Sequence, residues 1–257
     1  MKQKSEFKNE KEFYKYLSAN KSELIAFKKA ALKFTDSFGV EAETQKTLST
    51  NNVDDIANGI IKRTIIGNTY NWMDSHDDVH VENTFGKSIA ERQDKIWHLH
   101  DHEQKITSKV GKPTSIYEKQ IAWKDLGIEK EGRTICLCMD SNIMKDMNVG
   151  VFGQYLAKEI TQHSVAMKYI DINMAINDPE CKQEYSVWNK YINQLGNKAA
   201  AMDQGYFFAV KEAALIEISA VLAGSNELTP TIDNVENSKQ EPPKKKNNWA
   251  ILAAQLK

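Results

Sequence analysis

Three of the chain's six histidines fall within five residues, in Lys95-Ile-Trp-His-Leu-His-Asp-His102. Imidazole changes charge near neutrality, so such a row suits a general base, a metal site or a pH sensor, although a histidine taken singly is more often a surface or core filler. If the stretch is extended, His98, His100 and His102 line one polar face, while Trp97 and Leu99 turn inward from the other. Reach works against a metal: imidazoles at every second residue spread over about 13 Å of strand, too far for one tetrahedral zinc without a bend. His-Leu-His-Asp-His also lacks one residue of the H-x-H-x-D-H of binuclear zinc hydrolases. A pair of these rings could still hold zinc, and a zinc hydrolase built on the row stands as an alternative.

Two further stretches carry chemistry. In Thr161-Gln-His-Ser-Val-Ala-Met-Lys-Tyr169, read as a strand, Ser164, Ala166 and Lys168 share a face and His163 points away, a poor base for the serine. Lys168 lies about 13 Å along the strand, so a base for Ser164 has to come from elsewhere. In Ala214-Leu-Ile-Glu-Ile-Ser-Ala-Val-Leu222 one acidic side chain, Glu217, interrupts an apolar strand; it sits at a wet edge or is held to orient a charged partner. Asp74, Asp77 and Asp78 lack the glycine and terminal glutamate of a calcium loop and read as a turn. Cys136 and Cys138 read as buried thiols, Cys181 stands alone, and Gly150-Val-Phe-Gly153 lacks the Lys and Ser/Thr of a phosphate loop.

The elements that must position these residues follow from periodicity. Residues 1 to 35 read as helical, with Asn20 and Glu23 as a capping pair, and Thr35 to Asn52 as a linker, which puts a domain boundary near residue 52. Strands are expected at Gly59 to Gly67, Ile106 to Trp123 and Arg133 to Asp140. Helices are expected after Asn83, carrying Phe85 and Ile89, and after Asn148, carrying Phe152, Tyr155, Leu156 and Ile160. Residues 177 to 204 are partly helical, with Tyr185, Trp188, Tyr191 and Ile192 as a packing stripe. The end of the chain, with Lys244 to Lys246 and an apolar Trp249 to Leu256, reads as a flexible basic tail that docks on a partner or frays. The 257 residues carry a formal net charge of -1, which sets up no overall field to recruit nucleic acid or membrane. No apolar run approaches a bilayer span and the Lys- and Glu-rich start is unlike a signal peptide, which points to a cytosol.

Taken in order, four motifs resemble those of the prohead (procapsid maturation) serine proteases of tailed phages, relatives of the herpesvirus assemblins. Asp74-Ser-His-Asp-Asp-Val with Asn83-Thr-Phe-Gly-Lys-Ser-Ile is similar to that family's D-x-x-x-D motif and its G-A-F-x-x-S-[IL] helix. Ile96-Trp-His-Leu-His100-Asp101, continuing to Ile106, is similar to its L-W-x-H-D stretch. Ile160-Thr-Gln-His-Ser164-Val-Ala-Met is similar to its G-L-S-I-G-[FY] strand, with Ala166 in place of a glycine. Leu215-Ile-Glu217-Ile-Ser-Ala-Val, ending in Gly224-Ser-Asn226, is similar to its L-x-E-[IV]-S-x-V...P-A-N ending.

The resemblance implies a serine endopeptidase with Ser164 as nucleophile, His100 as general base and Glu217 as the residue that holds the base, with His98 or His102 as alternatives in that third role. It implies an α+β fold, a mainly antiparallel β-barrel flanked by helices, for a protease domain over 53–230; the residue pattern adds a helical arm over 1–52 and the tail over 231–257. The implied partners are the major capsid protein and a scaffold protein, in the host cytoplasm inside the immature shell and, in one version, retained in the virion. A homo-oligomer is compatible with it. No cofactor, metal, nucleic-acid substrate or membrane is implied. A structural capsid component that kept the fold and lost the activity is the other alternative.

Overall fold

The computed structural model describes residues 4–32 and 56–232. Its strands are β1 (Ile60–Thr69), β2 (Asp78–His80), β3 (Trp97–His100), β4 (Lys109–Ala122), β5 (Arg133–Met144), β6 (Gln162–Ile176), β7 (Tyr206–Val221) and β8 (Thr231–Ile232). The helices are α1 (Glu10–Ala19), α2 (Lys21–Ala30), α3 (Gly86–Arg92), α4 (Val149–Ala157), α5 (Lys182–Tyr191) and α6 (Lys198–Gln204). The expected linker and most of the expected tail, including Lys244 to Lys246, lie outside the described residues.

The strands make one mixed sheet, so the α+β class holds, but the sheet is not closed into the expected barrel. Its order is β6, β7, β3, β4, β5, β1, β8, and β2 lies beside β3 along the same edge of β7. Both of these short strands run parallel to β7, while the other pairs are antiparallel. Closure would need β1 to meet β6 through a continuous ladder. Instead the two-residue β8 pairs with Thr64 and Ile65 of β1, and the β6 side is reached through the His163 N–H, which donates to Thr229 O at 3.2 Å.

The core follows the alternation of the long strands. Ile65, Leu137, Met139, Val165, Met167, Val210, Leu215 and Ile218 form one buried cluster, and α1 adds Phe13 and Leu17 to it. The helical arm is thus packed against the sheet by an apolar stripe. Asn9 caps α1 by accepting from Glu12 N–H at 2.9 Å, while Asn20 closes it, donating from Nδ2 to Tyr16 O. The expected Asn20 cap does not form, because α2 follows α1 with no extended residue between them. Asn148 caps α4 as expected, accepting from Val151 N–H at 3.0 Å. Trp188, Tyr191 and Ile192 pack on Val79 and Phe207, the expected stripe.

The acidic stretch is the turn that its spacing suggested: Asp74 Oδ1 accepts from the N–H groups of His76 and Asp78, both at 2.9 Å. The cation that it holds is supplied by the chain itself. Lys28 of α2 pairs with Asp78 Oδ1, donates to His76 O at 2.8 Å and lies 4.2 Å above the Phe208 ring.

Candidate active site

Strand register decides which side of the sheet each candidate faces. Residues directly opposite one another on neighbouring strands project from the same face. On β6 and β7, Ser164 is opposite Ser219 and Ala166 opposite Glu217; on β3 and β7, Trp97 is opposite Glu217 and Leu99 opposite Ser219. Ser164, Ser219 and Glu217 therefore share one face. His98 and His100, opposite Ile218 and Ala220, belong to the other.

The histidine row is not extended throughout, and this departs from the sequence expectation. β3 ends at His100; Asp101 and His102 then take left-handed φ values of 51° and 54°. Two such residues in succession break the alternation and turn the chain back over the face of Glu217. The burial order is also reversed at the start of the row, where His98 is buried and Trp97 is 39% exposed.

His102 consequently lies against the acid. Its Nδ1 is 2.5 Å from Glu217 Oε1, and its backbone N–H donates to Ser219 Oγ at 3.2 Å. Ser219 in turn donates to Glu217 Oε2 at 2.5 Å. Both carboxylate oxygens are thus engaged, and Glu217 is held rather than wet, at 2% exposure. With Nδ1 as the donor to the acid, the neutral ring keeps its lone pair on Nε2, the tautomer a general base needs. Ser164 is buried, and its Oγ has no hydrogen-bond partner among the described residues.

His100 stands on the opposite side of the sheet. Its Nδ1 pairs with Asp101 Oδ2 at 2.9 Å, and it lines a cleft of about 360 Å³ with Gln154, Glu159 and Leu222. The structure does not bring His100 to Ser164; it brings His102 and Glu217 to the face that carries Ser164. The sequence alone assigns His102 only a third role and Ser219 none. The signal was faint: Asp and His tolerate left-handed backbone better than most residues, and Ser219 is two residues from Glu217 on a strand.

His98 and His163 belong to a buried polar chain behind the site. His98 Nδ1 is 2.9 Å from Ser141 Oγ and its Nε2 is 3.0 Å from Tyr155 OH; the same hydroxyl is 2.8 Å from His163 Nε2. His163 Nδ1 lies 3.1 Å from Thr229 O. Burial, with a further push from His163, holds His98 well below its ordinary pKa, and burial brings His163 down to about 4. Both rings are neutral at pH 7.

No metal cluster forms from the row: among the described residues no group of three or more His, Cys, Asp or Glu side chains is placed to hold an ion. Cys136, Cys138 and Cys181 are free and buried, and desolvation pushes Cys136 and Cys138 up to about 12. Among the described residues no helix is long and apolar enough to cross a membrane.

Comparison with known proteins finds no match. No protein-family model, curated protein or solved structure corresponds to the chain.

Proposed function

We propose that the chain is a serine endopeptidase that cuts scaffold and major capsid protein segments during phage procapsid maturation, inside the immature shell in the host cytoplasm. Ser164 is the nucleophile, His102 the general base and Glu217 the residue that orients the base. The observation that carries this reading is the Glu217 to His102 hydrogen bond on the same face as the unpartnered hydroxyl of Ser164. The order of the four motifs supports the same class of chemistry and places the same serine and the same acid in it.

A serine hydroxyl is a weak nucleophile at neutral pH, and a neutral imidazole corrects that. As Ser164 Oγ bonds to the scissile carbonyl carbon, its proton passes to His102 Nε2, and Glu217 stabilises the imidazolium that results. The C–N bond then breaks, and His102 returns the proton to the leaving amine. Water repeats the sequence on the acyl-enzyme, restoring Ser164 and releasing the acid product. Because Ser164 Oγ makes no hydrogen bond among the described residues, none of these has to release it before it rotates toward the base.

The test is processing of a co-expressed capsid protein. Ser164→Ala and His102→Ala abolish cleavage, and His100→Ala retains it; loss of cleavage with His100→Ala and not with His102→Ala would return the base to His100. A second reading, a structural capsid component without activity, is favoured by the 2% exposure of Ser164. On that reading the unaltered protein cleaves nothing, and Ser164→Ala leaves shell assembly unchanged.

A further inference from the structure

The chain of hydrogen bonds through Tyr155 has one consistent proton arrangement. Thr229 contributes a carbonyl oxygen, which can only accept, so His163 Nδ1 carries that ring's proton. A neutral His163 then has a lone pair on Nε2, and Tyr155 must donate its only hydroxyl proton there. The Tyr155 oxygen is left to accept, so His98 carries its proton on Nε2 and presents Nδ1 as an acceptor. Ser141 donates to it. Every polar atom of the chain is thereby used, and reversing any one link leaves two donors or two acceptors facing each other.

The chain joins the elements on which the candidate site is built. His163 immediately precedes Ser164 on β6. His98 lies on β3, whose end turns into Asp101 and His102. Tyr155 is the one member that touches both imidazoles, and it comes from α4, with ring centroids 5.8 Å from His98 and 6.0 Å from His163. β6 and β3 are not neighbours in the sheet, since β7 runs between them. The two imidazoles also meet directly, with ring centroids 6.3 Å apart, and the Tyr155 hydroxyl is what joins them by hydrogen bonds across that gap. Space has been kept for it: a Cβ on Gly111, which is opposite His98, would come within 2.6 Å of Ser141 Oγ and 3.2 Å of His98 Nδ1.

We infer that Tyr155 is a positioning residue of the peptidase, its hydroxyl pinning the nucleophile strand to the strand that delivers the base. This rests on the reading of Ser164 and His102 given above. Tyr155 touches no substrate; it acts through His163 and His98 on the relative placement of β6 and β3. Misplacement of reacting groups by about 1 Å costs on the order of 100-fold in rate, so a small relaxation of this link is readable in catalysis.

The experiment uses the full chain and two readouts, the rate at which a fluorophosphonate probe labels Ser164 and the kcat and KM for a cleaved peptide. Tyr155→Phe keeps the ring and removes the hydroxyl. Leu17→Ala, in the core at α1 and away from the network, controls for lost stability alone. Tyr155→Phe is expected to lower labelling and kcat by about 10- to 100-fold with KM changed little, while Leu17→Ala, at an equal or larger loss of Tm, labels at the unaltered rate. If Tyr155→Phe does not fold, Ser141→Ala, which frees His98 Nδ1 at the outer end of the chain, gives the same effect in weaker form. Labelling by Tyr155→Phe, or by Ser141→Ala in its place, that matches the unaltered protein overturns the inference. So does a loss no greater than that of Leu17→Ala. A starting protein that neither labels nor cleaves ends the peptidase reading and this one with it, which separates the two failures.

Discussion

At the scale of the residue, the weight of the site rests on Glu217. Its two oxygens hold an imidazole and a hydroxyl, and its place opposite Ala166 keeps it one residue pair along from Ser164. Replacing it by glutamine preserves the volume, but a carboxamide cannot stabilise an imidazolium and can turn its NH2 group toward His102, which favours the other tautomer. Glu217→Gln is therefore expected to lower kcat by about 100- to 10,000-fold with little change in KM, as measured on a cleaved peptide. A loss shared equally between kcat and KM, or none, contradicts the role. This residue was legible in the sequence as the one acid on an apolar strand. The proposed base was not, because alternation along Ile96 to His102 predicts one face for all three histidines, and only the left-handed pair at Asp101 and His102 separates them. Backbone handedness of that kind leaves no periodic trace.

At the scale of the element, the long antiparallel strands were readable from β-branched runs, and Asn148 announced α4. The length of β7 was not: Tyr206 to Val210 is buried on both faces and shows no alternation, so only its second half stood out. The helical arm was readable as amphipathic, but its anchorage was not, since nothing in a sequence says that a lysine on one helix meets an aspartate 50 positions away. That anchorage is a buried ion pair. Lys28 and Asp78 are both nearly excluded from water, and Tyr169 donates to the second Asp78 oxygen at 2.7 Å. Lys28→Met would leave the aspartate buried and uncompensated, at a cost of about 3–5 kcal/mol in unfolding free energy. Adding Asp78→Asn removes the orphaned charge and is expected to restore most of that loss. Chemical denaturation of the three proteins checks it, and a double variant no more stable than Lys28→Met would show that the pair contributes by something other than charge compensation.

At the scale of the whole molecule, imidazole is sealed inside the sheet at two places: His98 of β3 and His163 of β6 meet the Thr229 carbonyl in one buried chain of hydrogen bonds through Tyr155, and His80 is buried on β2. The consequence is a stability that depends on acid. His80, His98 and His163 are all held below their ordinary pKa of 6.5 by burial, with His80 and His163 brought down to about 4. Between those values the unfolded chain binds protons that the folded chain refuses, so each ring takes away stability as pH falls, by about 1.4 kcal/mol per pH unit. Asp74 runs the other way. Burial and the neighbouring Asp78 push it up to about 7, so over much of the same range the folded chain holds a proton that the unfolded one has lost; Asp77 is also raised by burial. Three rings against Asp74 leave a net loss of stability on acidification from pH 6 to 5, which the raised Asp77 reduces. Asp74→Asn removes one opposing carboxyl while its side-chain oxygen can still accept from His76 and Asp78. The slope should then steepen by about 1.4 kcal/mol per pH unit, seen as a steeper fall of unfolding free energy with acidification. A slope unchanged by Asp74→Asn would mean that this carboxyl titrates alike in both states, and a stability that rises on acidification would mean that the imidazoles do not control the acid limb at all.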